Sequence, residues 1–523
     1  MTAAGALARA GIIVSSAFLV SRILGYVRLV VIGNTFGASA ELDAFFAAFR
    51  IPDLIFQLVA AGALSSALVP IVSGLFTRDE QLRAWRVVST VINLMLIGLA
   101  VLAAGFFILA PVIVPIITPG FAGAQLDKTI ELTRIMLLSP IFLALGAVAT
   151  SVLNAGGRFA AAAVAPIVYN LAIIGAAVLL APTLGVAGLA LGVVAGSLGH
   201  LLVQLRPLAR LGFRYEPHID AADPQARKAL TLMAPRAVGL GASQITFIVV
   251  TSLATTLEVG AVSDFNFAFA LLQIPLGIIG VPLGIVLLPS LSRDAAVGHE
   301  TSFTSLLTRA LRLLIYVMVP IAVLGTVVRQ PVVQILFGSG KIRPADLDLI
   351  AVTLSAFLVG LTAHAMIAVL ARAFYARQDT VTPVAAAVAA VAINCSLAVV
   401  LVGPLGLPGI ALAIAIAAWV EALALLMVLY RRLPHFEVRS LGRVGVESIV
   451  GSVVAGAGAW AVLGVLEQAA GVSAGRLILA VQVTIVSLVF AAVYAALSLV
   501  LRIPELPSIV VVMTDVLHRP SRS

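Results

Sequence analysis

Arg22, Arg28 and Arg50 stand inside stretches that are otherwise apolar: Ile12 to Gly33, and the run that begins near Ala44. A charged side chain at the centre of a membrane helix costs roughly 2.5–3.5 kcal/mol on insertion scales, and chains that keep one turn it toward a wet cavity or a partner. A guanidinium grips phosphate oxygens through two parallel N–H bonds, so these arginines point to a pocket for a phosphate-bearing anion. Arg22, Gly25 and Arg28 fall within about 120° of a helix. Asp43 and Arg50 share a face two turns apart. The structural alternative is that Arg28 snorkels outward and Arg50 pairs with Asp43 or Asp53.

Further polar groups interrupt apolar sequence. Gln57, Gln244 and Gln273 either line a cavity or bridge helices. Arg236, just after Pro235, is a pocket cation or an ordinary snorkelling residue at a helix end. No Walker loop, His/Cys metal cluster or Ser-His-Asp set is found. "GSGKIRP" from Gly338 lacks phosphate-loop spacing and reads as a turn. No catalytic residue, metal or cofactor is expected.

The elements that must position these groups are membrane helices. Of 523 residues, 62% are hydrophobic and 11% charged, against about 25% charged in soluble domains. The mean hydropathy is +1.17. Apolar runs of about 20 residues read as helices, not barrel strands. The single cysteine, Cys395, gives no disulfide framework. A net charge of +9 would suggest nucleic acid on a soluble protein; here the positive-inside rule accounts for it, and no nucleic-acid partner is expected. Arg22 and Arg28 interrupt the first apolar run, so it is not read as a cleaved signal.

Fourteen spans are expected, near 12–33, 44–75, 88–117, 131–155, 159–181, 184–205, 231–257, 265–291, 309–328, 349–376, 383–402, 406–430, 444–466 and 476–501. The ends and even-numbered connections hold 22 of the 32 basic residues and the odd-numbered ones hold 5, which places both termini in the cytoplasm. The chain also repeats itself. "FRIPDLIFQLV" at Phe49 matches "LLQIPLGIIGV" at Leu271, and "LGVAGLALGVVAG" at Leu184 matches "LGLPGIALAIAIA" at Leu405. Copies six spans apart are parallel repeats. The expected fold is all-α, with an N-terminal lobe (1–206), a cytoplasmic linker (207–230), a second lobe (231–432) and two added helices with a tail (433–523). His200 and Glu421 are separated by the same offset as Leu184 and Leu405, and so take equivalent places in the two lobes. They are candidates for proton or cation coupling, or for hydrogen-bonded structure. His364 is a weaker case of the same kind.

"SRILGYVRLVVIGNTFGASAELDAFFAAFRIPDL" from Ser21, "GALSSALVPI" from Gly62, "LGIVLLPSLSR" from Leu283 and "FYARQDTVTPV" from Phe374 resemble the MurJ/MviN family, lipid II flippases of the MOP exporter superfamily. The resemblance implies an alternating-access transporter of the bacterial inner membrane. It would move an undecaprenyl-diphosphate-linked peptidoglycan precursor from the inner to the outer leaflet. Its implied partners are that precursor, membrane lipids, and cell-wall synthesis or division proteins. Arg22, Arg28 and Asp43 match family positions, and Arg50 a position that is basic in the family. Phe56-Gln57-Leu58-Val59-Ala60-Ala61-Gly62-Ala63 stands where the family reads roughly Arg-Arg-x-x-Ala-Glu-Gly-Ala. Ala270 and Gln273 stand where an arginine and an acid are usual. Two alternatives stay open: a same-fold exporter of another lipid-linked glycan or amphiphile, and a transport-inactive scaffold of the cell-wall machinery.

The orientation is checked with single cysteines in a Cys395→Ala background. An impermeant thiol reagent on intact cells is expected to label Lys341→Cys and leave Arg214→Cys untouched; labelling at 214 reverses the topology.

Overall fold

In hydrocarbon, backbone N–H and C=O groups find partners only within helices or closed barrels, and the apolar runs of this chain are long enough for helices alone. The computed structural model describes residues 3–59, 63–220, 222–433, 436–470, 475–501 and 503–506, side chains excepted at 3–15, 59, 63–66, 230, 232–243 and 470. Among the described residues there is no strand. The chain divides into two compact units, Met1–Ser263 and Asp264–Ser523.

The first unit holds α1 (Ala3–Phe36), α2 (Ala40–Ala48), α3 (Arg50–Val59), α4 (Ala63–Thr77), α5 (Gln81–Ile117), α6 (Gly123–Met136), α7 (Ser139–Ala155), α8 (Phe159–Leu179), α9 (Ala181–Leu184), α10 (Val186–Arg210) and α11 (Pro224–Thr255). Its closest helix pair is α8 with α10, and small residues explain it. Gly188, Gly192 and Gly196 recur every fourth residue, the spacing that lets membrane helices approach. A Cβ on Gly192 would lie 2.3 Å from Ala176 Cβ. α1 packs on α8, while α11 packs on α3, α4 and α5. The repeat matches α11 to α1, yet α11 belongs with the first unit by contact.

The second unit holds α12 (Ala261–Pro275, begun just before the boundary), a π turn (Leu276–Gly280), α13 (Val281–Val297), α14 (Glu300–Val327), α15 (Arg329–Phe337), α16 (Pro344–Val359), α17 (Leu361–Ala376), α18 (Val381–Arg432), α19 (Val438–Ala470) and α20 (Arg476–Val500). Pro275 lacks an N–H, and the helix loosens to π geometry directly after it. α19 and α20 pack together and on α14. Tyr494 Oη donates to Tyr316 O at 3.0 Å and Tyr316 Oη to Ser498 Oγ at 3.0 Å.

α18 is 52 residues long but is not a rod. Gly406 breaks it with φ 58 and ψ −138, a backbone that a side chain would strain. Arg432, at its far end, donates to Asp379, just before its start, at 2.6 Å. The segment therefore doubles back on itself. Gly185 has nearly the same angles, φ 56 and ψ −141, and precedes Gly406 by the same offset that separates Leu184 from Leu405. Ten described residues have positive φ, and eight of them form pairs at or close to that repeat offset: Gly37 and Gly260, Asp79 and Gly298, Gly157 and Gln378, Gly185 and Gly406.

Ten helices among the described residues are long and apolar enough to cross a membrane, or eleven with the pair Pro344–Val359 and Leu361–Ala376 taken as one span bent by 43°. The chain is thus an all-helical, multi-pass membrane protein. The expected second span is broken into α2, α3 and α4, and the expected spans 383–402 and 406–430 both lie in α18, which breaks at Gly406.

The turn before α18 titrates. The Asp379 carboxylate accepts from the hydroxyl and N–H of Thr382 and from Arg432, which together hold it down to about 2 from its ordinary 3.8. A lowered carboxylate adds stability that is complete above its ordinary value and lost as pH falls through about 2. Asp379→Asn is expected to lower thermal stability in detergent at neutral pH by about 0.2–1 kcal/mol, the range for an exposed pair. The difference from the parent protein should close between pH 3.8 and about 2. A difference that stays constant over that range excludes the ionised carboxylate as its source.

Candidate functional site

The apolar faces that pack α1 on α8 and α3 on α11 bring four polar stretches of the first unit together. Arg28 on α1 lies with its guanidinium 5.8 Å from the centre of the Tyr169 ring on α8. Tyr169 also lies within electrostatic reach of Asp53 on α3. One turn from Asp53 on the same helix, Arg50 is in electrostatic contact with it. The Asp53 carboxylate accepts from the side-chain amides of Gln57 and Gln244. Arg50 Nε donates to Thr251 Oγ1 at 2.8 Å, and its guanidinium covers the Phe247 ring at 5.4 Å. Arg22 sits one face round on α1, 5.1 Å over Phe18 and beside the Tyr26 hydroxyl. Neither Arg22 nor Arg28 has a carboxylate ion-pair partner among the described residues.

Asn170, buried on α8, ties this region to α1: its amide donates to Ser21 O at 3.2 Å and Pro166 O at 3.0 Å. The second bond follows from the helix itself. Pro166 cannot donate, but its carbonyl is still an acceptor for the side chain one turn later.

Asp43 is placed otherwise. It is 1% exposed, and its carboxylate accepts from Gly260 N at 2.7 Å, Ser263 N at 2.8 Å and Ser263 Oγ at 2.6 Å. Both oxygens are occupied in holding the backbone at the end of the first unit. Its pairing with Arg50, one option from sequence, is replaced by Asp53. Arg236 lies on α11, its side chain outside the described residues, and Ala61 is also outside them. Gln273 is half-buried on α12, two residues before the π turn, in the second unit.

His200 packs its ring flat against Gly146: a Cβ there would lie 2.4 Å from Nδ1. Nδ1 is buried and lacks a hydrogen-bond partner among the described residues. Next to it Gln204 bridges α10 to α7, donating to Gly146 O at 3.2 Å and accepting from Thr150 Oγ1 at 2.8 Å. Glu421 is half-buried on α18 with no hydrogen-bond or ion-pair partner among the described residues. His364, on α17, likewise has a buried Nε2 without a partner among them.

A family model described as "Lipid II flippase MurJ" matches residues 32–482. The chain belongs to the MurJ family. Its relatives include "Probable lipid II flippase MurJ" of Vibrio cholerae serotype O1, 32% identical over 483 residues, covering 88% of this chain and 90% of that one. "Lipid II flippase MurJ" of Burkholderia cenocepacia is 32% identical over 432 residues, covering 81% and 84%. Among solved structures, "Lipid II flippase MurJ, inward closed conformation" matches with TM-score 0.78 at 23% identity, over 94% of this chain and 99% of that one. An inward-facing MATE family transporter of the MOP superfamily matches with TM-score 0.64 at 16% identity, over 81% and 96%. The two likenesses show a fold common to MurJ and MATE transporters.

Within this MurJ chain, sequence reading found Arg22, Arg28, Arg50, Gln57 and Gln244, and the fold brings the last three together around Asp53. It missed Tyr169 and Thr251. Their signal was weak, a tyrosine and a threonine in apolar helices, and their partners lie far away in the chain.

Removing one member of a buried charge pair costs about 3–5 kcal/mol, while replacing both with apolar groups is often near neutral. Arg50→Met and Asp53→Leu are each expected to lower thermal stability in detergent strongly, and the double variant less than their sum. Additive losses would show that the two charges do not depend on each other.

Proposed function

We propose that this chain carries lipid II, a polyprenyl-diphosphate-linked peptidoglycan precursor, from the inner to the outer leaflet of a bacterial inner membrane by alternating access. It is a transporter, not an enzyme. The observation that carries the reading is the pair Arg22 and Arg28. They are guanidinium groups kept inside an apolar helix and laid against aromatic faces, with no carboxylate ion-pair partner among the described residues. Such groups keep N–H edges available for the oxygens of a diphosphate. Arg50 differs: Asp53, Thr251 and Phe247 already engage it, so it sets the charge and shape of the pocket wall. Gln57 then serves through Asp53, and Asp43 through the backbone it holds. Gln273, in the second unit, is a further proposed substrate-binding residue, a neutral donor and acceptor. The polyprenyl tail stays at the lateral edge, where desolvation costs nothing.

The architecture we propose has fourteen crossings in two parallel lobes, residues 1–206 and 231–432, joined by the linker 207–230 and followed by two added helices in 433–523. Three features support it. Counting the doubled-back α18 as two spans, and adding the broken α2–α4 and the α11 segment, brings the eleven candidates to fourteen. The positive-φ residues recur at the repeat offset. The basic residues favour the even-numbered connections, which supports cytoplasmic termini. His200 and Glu421 are the proposed coupling groups, since each is half-buried in an apolar helix at the repeat offset. Cell-wall synthesis or division proteins are further proposed partners. The scaffold reading has one observation in its favour: Arg50, a match to a basic family position, is spent on internal contacts.

Complementation of a flippase-depleted cell decides between them. Arg22→Ala and Arg28→Ala are expected to abolish growth while the protein still inserts, with lysine rescuing partly because a point charge replaces a fork. In a flipping assay, Glu421→Gln is expected to change the pH profile. Growth of both alanine variants at normal expression rejects the cationic pocket; failure of the parent chain to complement favours the scaffold.

A further inference from the structure

A second cationic site lies in the first unit, away from the Arg22–Arg28 region, where the end of α4 meets the start of α11. There a cavity of about 210 Å³ is lined by Arg78, Lys228 and Gln225 over an apolar floor that includes Pro70, Ile71 and Gly74. Neither Arg78 nor Lys228 has a hydrogen-bond or ion-pair partner among the described residues. The reason is visible in the neighbouring acids. Asp223 caps α11 through Gln225 N at 2.7 Å and Ala226 N at 3.3 Å, and accepts from Arg83 Nε at 3.1 Å. Burial pushes its carboxyl up, but these bonds outweigh that and hold it below the ordinary carboxylate range, so it stays ionised and committed. Glu80 is committed to the same Arg83, at 3.0 Å. Both acids are thus engaged by Arg83 and keep one net negative charge between them, while neither forms an ion pair with Arg78 or Lys228, which stand beside a concave apolar wall.

We propose that this cavity binds a phosphate-bearing lipid head group, its oxygens between Arg78 and Lys228, its amide contact at Gln225 and its apolar stem over Ile71 and Pro70. Two cations and an amide suit a phosphate or diphosphate, and the apolar floor distinguishes the site from one for a free ion. A basic rim alone would follow from the positive-inside rule. The cavity and the engagement of both nearby acids by Arg83 go beyond that rule. The site rests on the transport reading only for its role, as a place where a lipid diphosphate is held before it reaches Arg28; binding itself does not depend on that reading.

A Cβ on Gly74 would meet nothing within 4 Å, so a cysteine there is tolerated and reports on the cavity. The full chain carrying Gly74→Cys and Cys395→Ala is placed in nanodiscs of pure phosphatidylcholine, and its rate of reaction with a maleimide is measured. Undecaprenyl diphosphate is expected to slow labelling about tenfold at about ten times its dissociation constant. Adding Arg78→Gln and Lys228→Gln should abolish that protection. A second arm replaces part of the lipid with phosphatidylglycerol. Protection there, too, keeps the phosphate site and assigns it to anionic membrane lipid; protection by undecaprenyl diphosphate alone assigns it to the polyprenyl diphosphate. Labelling unaffected by either lipid, or protection that survives the double glutamine variant, overturns the proposal. Because labelling reads occupancy and not transport, it can succeed where complementation fails, and the reverse.

Discussion

An arginine in hydrocarbon carries five N–H donors and a charge, and must place all of them in protein or in a wet cavity. Arg50 meets this with Asp53 one turn away, a hydroxyl on Thr251 and the face of Phe247. The same requirement falls on Asp53, whose carboxylate is tolerable in an apolar helix only because Arg50, Gln57 and Gln244 surround it. Two of these partners, Gln244 and Thr251, belong to α11. The short helix α3, separated from α2 only by Phe49, is thereby fixed to α11 by polar contacts that have no alternative partners in lipid. Much of the wall of the candidate pocket follows from that lock.

Arg22 and Arg28 are accommodated differently, against aromatic rings and without a carboxylate ion pair among the described residues. A guanidinium over an aromatic ring gains about 0.5–1 kcal/mol when exposed and more when desolvated. Contact with a ring face leaves N–H groups for other acceptors; Arg22 gives part of its edge to the Tyr26 hydroxyl. A carboxylate partner would use those edges and would have to be displaced by an incoming phosphate, at the cost of a buried, unpaired acid. Aromatic support therefore holds the arginine in place without competing for the ligand. Arg50 would be a poor primary ligand for the same reason that it is a good structural one.

Much of the fold was legible because its causes are local. Apolar length gave the helices, and the offset that relates Leu184 to Leu405 reappears in the angles of Gly185 and Gly406. What was not legible depends on partners far apart in sequence. Asp43 reads as a pocket acid, but its carboxylate oxygens meet Gly260 and Ser263, at the far end of the first unit. Asp53 and Asp43 were equal candidates for Arg50, and only the packing of α3 decides. The membership of α11 in the first unit, against the order of the repeat, comes from contacts with α3, α4 and α5 that no periodicity encodes.

The departures from the family pattern then take on a physical meaning. Gln57 occupies a position where that pattern carries an arginine, and here its neutral amide donates to Asp53. With an arginine at 57, Asp53 would have two cations to neutralise, and Arg50 would hold only part of its charge. With glutamine, the acid has Arg50 as its nearby cation on α3, so the pair is tighter and Arg50 less available. On the reading proposed above, the loss of one charge on α3 would take two groups out of direct phosphate binding, the missing arginine and the committed Arg50. In the first unit the burden falls on Arg22 and Arg28 of α1, which lie about 9 Å apart along the helix axis at about 1.5 Å per residue. On the same reading the pocket would keep its cationic charge on α1, and that charge depends on α1 staying seated on α8 with Tyr169 beneath Arg28.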